Sequence, residues 1–118
     1  MKKIKFYGYN KCSTCVKAKK FLDKHSVTYE DLDITTTAPS AAELKQMLAE
    51  YHGDIKKLFN TSGQAYREMN LKDEIADMTP AKAITMLSKN GRLVKRPFLI
   101  GDTSGLVGFK EDEWKTII

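Results

Sequence analysis

The sequence predicts an α/β fold in which a βαβ unit and a ββα unit build one mixed four-stranded sheet. Three observations support this prediction. Strand-like alternation over residues 3–9 changes to helical periodicity and then to a second strand-like stretch over 27–34. Residues from about 40 to 90 show helical patterns, and two apolar runs within 97–109 flank a glycine-containing loop. We therefore expect a helical subdomain inserted between the two units.

The first unit is defined by a change of period. Over residues 3–9, Ile4 and Phe6 alternate with Lys5 and Tyr7, so the two pairs should lie on opposite faces of a strand. A helix of about three turns follows, and its inward face is expected to carry Cys15, Ala18, Phe21, Leu22 and His25. Residues 27–34 are rich in β-branched and aromatic types, which favours a second strand.

The middle of the chain carries two helix starts. Ser40 and Glu43 have the spacing of a capping box, and Leu44, Met47, Leu48 and Tyr51 would form the apolar face of that helix. Thr79 followed by Pro80 predicts a second capped helix, which ends at about Asn90. Short helical segments are expected over 55–59 and 64–78.

The C-terminal unit consists of a hairpin and a helix. The apolar runs 97–100 and 106–109 are joined by residues 101–105, and acidic residues at 111–113 mark a helix start. Trp114, Ile117 and Ile118 are expected to return to the core. This order of elements is that of a thioredoxin-like fold with a helical insertion at about 40–90, and residues 1–118 are expected to form a single domain.

Composition limits the class of protein. The chain has 118 residues, 42% hydrophobic and 30% charged, which excludes disordered and fibrous classes. No apolar run approaches the roughly 20 residues that span a bilayer. Two closely spaced cysteines are too few for a secreted disulfide scaffold. We therefore expect a cytoplasmic, soluble monomer without membrane association.

The positive charge is concentrated near the N-terminus. Residues 1–24 contain eight lysines and a single acid, Asp23. A basic surface can bind nucleic acid, but no stripe of basic residues interleaved with aromatic ones is present. We therefore expect a solvated helix face and no direct nucleic-acid contact.

Both cysteines fall between the first strand and the first helix, as Cys12-Ser13-Thr14-Cys15. Unpaired backbone N–H groups at a helix start, with Lys11 beside them, favour the thiolate form of Cys12. Cys15 lies one turn further on the inward face. We expect Cys12 to attack a substrate and Cys15 to resolve the intermediate by closing a Cys12–Cys15 disulfide.

Two other features have competing interpretations. Structural zinc needs four ligands, and His25 and His52 lack the spacing of partners for this cysteine pair, so we expect no bound metal or cofactor. Arg96-Pro97 could simply be a solvated charge before a strand. Arg96 could also stabilise a thiolate or bind an oxyanion, because a guanidinium suits such groups.

Four blocks of the sequence resemble the ArsC/Spx family: residues 9–18 around Cys12, residues 58–63, residues 94–97 and residues 107–113. The resemblance runs from Lys3 to about Trp114. It implies a thioredoxin-like fold with a helical insertion. It also implies that the Pro97 peptide bond is cis and faces the Cys12 loop.

The resemblance implies an arsenate reductase-like or disulfide reductase activity. Arsenate reductases of this family use the cysteine matching Cys12 and three arginines, of which only Arg96 has a counterpart. The other two positions fall at about Asn60 or Thr61 and at Phe109. We expect substrate binding by Lys11, Asn60, Thr61 and Pro97, with a small anionic or disulfide substrate. Reducing equivalents would come from glutathione and glutaredoxin, from thioredoxin or from another low-molecular-weight thiol.

The same resemblance offers an alternative function. Spx-type regulators share the pair of cysteines and bind the C-terminal domain of the RNA polymerase α subunit. Gly53 matches the glycine that they use at that interface, although a glycine here would also simply end a helix. A redox-switched regulator is therefore the alternative to an enzyme.

Overall fold

A mixed four-stranded sheet forms the centre of the computed structural model, which describes residues 4–102 and 104–116. The strands are β1 (Lys5–Gly8), β2 (Glu30–Asp33), β3 (Phe98–Ile100) and β4 (Gly105–Val107), in the order β2-β1-β3-β4. β1 pairs in parallel with β2 and antiparallel with β3, and β3 pairs antiparallel with β4. The α/β fold class with a mixed sheet is confirmed.

The predicted helices are present, with bounds set by local caps. They are α1 (Ser13–Lys24), α2 (Ala41–Glu50), α3 (Gln64–Glu68), α4 (Leu71–Glu74), α5 (Pro80–Lys89) and α6 (Glu111–Trp114). Three 3-10 turns cover Ile55–Leu58, Ile75–Asp77 and Gly91–Leu93. The Ser40 side chain accepts the Glu43 N–H while Glu43 accepts the Ser40 N–H, so the predicted capping box exists. Thr79 caps α5, and Pro80 opens it.

Each face of the sheet is covered by its own apolar cluster. Phe6 and Leu99 pack on one face with α1 and with Trp114 of α6. Tyr7, Phe98 and Ile100 pack on the other face with the inserted helices. Because adjacent residues of a strand point to opposite faces, alternate positions of β1 and β3 supply the two clusters. Helix α1, which begins directly after Cys12, therefore packs on the opposite face of the sheet from the inserted helices.

Two details of the first unit differ from the prediction. The alternation places Tyr7 on the same side of the strand as Lys5, yet Tyr7 is 3% exposed and its hydroxyl donates to Glu43 Oε1 at 2.7 Å. The insertion covers this second face of the central strand, which the alternation could not reveal. The inward placement of His25 is also wrong. It is exposed at the end of α1, although its ring centroid lies 4.4 Å from that of Phe21.

The strands are shorter than predicted. β2 begins at Glu30 rather than 27, and β4 runs from Gly105 to Val107, so that Phe109 follows the strand instead of ending it. Lys3, Thr103, Ile117 and Ile118, which the prediction placed in these terminal and hairpin segments, lie outside the described residues. Within 4–102 and 104–116, every helix is too short or too polar to cross a membrane.

Candidate active site

Cys12 occupies the N-cap position of α1, directly before its first helical residue. Its own N–H donates to the Tyr9 carbonyl at 3.0 Å, which fixes the turn that follows β1. Its Sγ accepts the backbone N–H of Cys15 at 3.4 Å. Cys12 is only partly buried, so its sulfur is held by the helix start while its side chain remains accessible.

Cys15 is buried beneath this turn. It is 1% exposed and packs in the apolar cluster with Ala18 and Phe21. Burial raises the pKa of the Cys15 thiol to about 12, and its hydrogen bond with the Cys12 thiol also raises it. The positive charge of Arg96 acts in the opposite direction. Both cysteines are free thiols, so the structure represents the reduced form of the pair.

Arg96 lies close to the loop that carries Cys12. Its guanidinium carbon is 5.3 Å from the centroid of the Tyr9 ring, within the range of a cation–π contact. The Arg96–Pro97 peptide bond is cis, as the family resemblance implied. The Pro97 carbonyl accepts the Gly108 N–H at 2.9 Å, which connects this loop to the end of β4.

A second backbone connection brings the Asn60 turn to Arg96. Phe59 and Val94 form an isolated antiparallel bridge. The Asn60 N–H donates to the Leu93 carbonyl at 2.7 Å, and the Lys95 N–H donates to the Leu58 carbonyl at 2.8 Å. Two segments that are distant in sequence are thereby held side by side next to the Cys12 loop.

These segments enclose an open cleft of about 860 Å³ beside Cys12. Cys12, Arg96, Asn60 and Thr61 all line it, so four of the seven predicted site residues are brought together. Lys11 is exposed outside the cleft lining, and Pro97 is buried behind it. The roles assigned to these residues remain predictions.

The cleft carries more positive charge than the sequence predicts for the site. Besides Arg96, its cationic lining residues are Lys56, Lys57, Lys95 and Lys110. Its acidic lining residues are Asp54 and Glu113. Local sequence patterns could not identify Lys56 and Lys57 as site residues, because the Phe59–Val94 bridge is what brings their turn to Arg96. The adjacency of Lys95 to Arg96 was the one available signal.

Aromatic packing forms one edge of the cleft. Phe109, which also lines the cleft, lies 5.0 Å from the Trp114 ring and 5.6 Å from the Phe21 ring. The family resemblance implies that one of the arginines of arsenate reductases falls at about this position. Across residues 4–102 and 104–116, no group of three or more histidine, cysteine or acidic side chains is arranged to hold a metal ion.

Known proteins share this sequence and fold over nearly its whole length. The model of the ArsC family matches residues 7–117. The protein YusI of Bacillus subtilis is 41% identical over 112 residues, which cover 95% of each chain. The global transcriptional regulator Spx of Streptococcus mutans is 24% identical over 107 residues, covering 91% of this chain and 77% of Spx.

Solved structures agree with this relationship. The crystal structure of an ArsC family related protein from Bacteroides fragilis has a TM-score of 0.92 and 40% identity, covering 98% of both chains. A Streptococcus mutans protein described as a possible arsenate reductase has a TM-score of 0.86 and 35% identity, covering 95% of this chain and 97% of that one. The matched region contains Cys12, Cys15, Arg96 and every residue that lines the cleft. The chain therefore belongs to the ArsC family.

Proposed function

We propose that this protein is a thiol-disulfide oxidoreductase in which Cys12 attacks a disulfide and Cys15 resolves the product, acting in the cytoplasm. One observation carries the proposal. The partly exposed Cys12 thiol borders a cleft and accepts the Cys15 N–H, while the second thiol lies buried behind it. Such an asymmetric pair suits an attacking and a resolving cysteine.

The reaction would proceed in two exchanges. The Cys12 thiolate attacks one substrate sulfur, the substrate S–S bond breaks, and the other half leaves as a thiolate that takes up a proton. Cys15 then loses its proton, and its sulfur attacks Cys12 Sγ. This second attack releases the remaining half of the substrate as a thiol. The substrate gains two electrons, and the protein is left with a Cys12–Cys15 disulfide.

The surrounding residues support this sequence of steps. Arg96 would stabilise the Cys12 thiolate and the departing thiolate, because its guanidinium lines the same cleft and its charge also reaches Cys15. Asn60 and Thr61 would supply polar contacts to the substrate. Lys11 would add positive field from outside the cleft, and buried Pro97 would fix the Arg96 loop. A thioredoxin, or glutathione with glutaredoxin, would return the protein to its dithiol form.

The test measures disulfide and arsenate reduction separately. The reduced protein is mixed with a small disulfide, and the reaction is stopped with an alkylating reagent. The mass of the alkylated protein then gives the number of thiols that remain. We expect both thiols to be lost in wild type and no reaction at Cys15 in Cys12→Ser. Coupled assays with thioredoxin or glutaredoxin then compare disulfide and arsenate as substrates. Full activity of Cys12→Ser would disprove the proposal. Turnover of arsenate without turnover of any disulfide would identify arsenate, and not a disulfide, as the substrate.

A redox-switched regulator is the second candidate, favoured by the similarity to Spx. Gly53 is exposed after α2, and a Cβ added there would meet no atom within 4 Å apart from its chain neighbours, so the position is accessible to a partner. Its φ of +83° and its N–H bond to the Leu48 carbonyl equally fit a helix terminator. The test measures binding to the RNA polymerase α C-terminal domain and disulfide turnover. Binding that is lost in Gly53→Arg, without any disulfide turnover, would establish the regulator over the enzyme.

A further inference from the structure

A second, smaller cleft adjoins the one that contains Cys12. It has a volume of about 350 Å³ and shares Asn60, Gly63 and Arg96 with the first cleft. Tyr9 and Arg92 line only the smaller cleft. Arg96 therefore lines both of these adjoining clefts, with Cys12 in the lining of one and Arg92 in the lining of the other.

Taken together, the linings of the two adjoining clefts have an excess of positive charge. Its cationic residues are Lys56, Lys57, Arg92, Lys95, Arg96 and Lys110, and its acidic residues are Asp54, Glu68 and Glu113. Among residues 4–102 and 104–116, none of these six cations has a carboxylate within 4.0 Å. Within the described part of the chain, none of the six is therefore held in a direct ion pair, although Asp33 lies near enough to Arg92 and Arg96 for their charges to help lower its pKa.

Two of the three acids are already engaged in local contacts. Asp54 Oδ1 accepts the Lys56 N–H at 3.2 Å, which caps a 3-10 turn. Glu68 Oε1 accepts the Gln64 side-chain amide at 2.7 Å within α3. These contacts fix the positions of two carboxylates that keep their negative charge, so the positive excess of the linings rests on six cations against three acids.

Size argues against a ligand as small as a single oxyanion. Clefts that hold small organic molecules usually measure about 300–1,000 Å³, and the larger space here falls near the top of that range. One tetrahedral oxyanion would contact only a small part of this surface. Cations distributed over both spaces match a longer ligand with several separated negative groups.

We propose, building on the disulfide reductase function above, that the two adjoining clefts together bind a low-molecular-weight disulfide with several carboxylates. One acidic arm lies in the lysine-lined space beside Cys12, and another reaches past Arg96 to Arg92. Lys56, Lys57 and Arg92 are then specificity-determining residues for charge. The thiol-disulfide steps are those already given, with the same reductant.

The first experiment varies the charge of the substrate at nearly constant size. Dithiodipropionate, hydroxyethyl disulfide and cystamine are anionic, neutral and cationic, respectively. Each is mixed with the reduced protein, and the loss of Cys12 and Cys15 thiols is timed by alkylation and mass spectrometry. The rate of thiol loss with each disulfide is divided by the rate at which mercaptoethanol reduces the same disulfide. This ratio corrects for differences in the intrinsic reactivity of the three disulfides. We expect the anionic probe to react about tenfold faster than the neutral one and the cationic probe slowest, with the difference shrinking in high salt.

Charge-reversal variants test whether the cations of the two clefts cause the preference for the anionic probe. In Lys56→Glu/Lys57→Glu, the ratio of the rate with the anionic probe to the rate with the neutral one should lose most of the excess that it shows in wild type. The matched control is Lys72→Glu/Lys82→Glu, which reverses two exposed charges outside both clefts and should keep the preference. Arg92→Gln should slow the reaction with the longer glutathione disulfide several-fold and slow the reaction with the shorter dithiodipropionate less.

The outcomes separate this inference from the proposed function. Equal normalised rates for all three charges, or equal effects of the cleft and control double variants, would overturn the charge-selective site while leaving the reductase intact. A protein inert toward the neutral probe as well would overturn both. An unchanged glutathione disulfide rate in Arg92→Gln would remove the second space from the binding site.

Discussion

The backbone N–H of Cys15 points to the sulfur of Cys12 across 3.4 Å, so the resolving residue already supports the attacking one before any chemistry. The contact arises because Cys12 is the N-cap of α1 and Cys15 is the third helical residue. Hydrogen bonding to the charged form of a group stabilises that form. One helical turn therefore serves both to hold the Cys12 sulfur and to keep its partner within reach.

Replacement of the resolving thiol should trap the first intermediate. In Cys15→Ser, a disulfide substrate should leave a stable mixed disulfide on Cys12, because no second protein thiol can displace it. Intact-mass spectrometry should show about one substrate half per chain, removable by dithiothreitol. Cys12→Ser is the control and should carry no adduct. An adduct-free Cys15→Ser protein that still reduces substrate would exclude the two-cysteine mechanism.

Buried Cys15 should make the folded state sensitive to alkaline pH. Its pKa is raised to about 12 by burial, whereas an unfolded cysteine ionises near 8.5. The raised pKa stabilises the fold fully below the unfolded value, and that contribution is lost as pH rises toward 12. We expect the free energy of unfolding to fall by about 1 kcal/mol per pH unit between roughly pH 9 and 11.

Urea denaturation of wild type and Cys15→Ala across that pH range measures this effect. Comparing the two proteins isolates Cys15 from Tyr7, whose pKa burial also raises. Cys15→Ala should have lower stability at neutral pH but a flatter alkaline slope. Parallel slopes for the two proteins would contradict the prediction.

Arg96 should influence rate more than stability. Arg96→Lys keeps a positive charge but removes the planar group that lies over Tyr9, and we expect the attack on disulfides to slow about tenfold. Tyr9→Leu should slow it less, about threefold, by loosening the guanidinium. Stopped-flow measurement of thiol loss checks both values. Arg67→Lys on α3 lies outside the clefts and should react like wild type.

Gly91 is required by close backbone packing. A Cβ added there would lie 1.7 Å from the Ile34 carbonyl oxygen, so the 3-10 turn and the end of β2 would have to separate. We expect Gly91→Ala to lower the free energy of unfolding by about 2–3 kcal/mol. Gly53→Ala is a useful comparison, because only its φ of +83° opposes a side chain, at a cost of about 1 kcal/mol. Urea unfolding should rank the two variants in this order.

Local signals in the sequence predicted the helices well. The Ser40–Glu43 capping box and the Thr79–Pro80 start each depend on contacts within one helical turn, and both exist in the structure. The alternation in β1 also predicted a strand, but it could not show that both of its faces are covered. Burial of Tyr7 depends on the insertion, which belongs to a distant part of the chain.

Some parts of the candidate site can likewise be predicted from local sequence and others cannot. Cys12 and Cys15 could be identified because strand, turn and helix follow one another directly in sequence. The lysine-lined cleft could not, since Lys56 and Lys57 approach Arg96 only through the Phe59–Val94 bridge. Pairing between remote segments leaves no local pattern in the sequence, so only the structure identifies these lysines as residues of the cleft.

Trp114 gives the protein an internal optical reporter. It is the one tryptophan of the chain, and its indole N–H donates to the Gly108 carbonyl at 3.0 Å. Phe109 stands between this indole and the cleft, touching both. Occupancy of the cleft that displaces Phe109 would therefore change the emission of a single, assignable fluorophore, so ligand binding can be followed without a label.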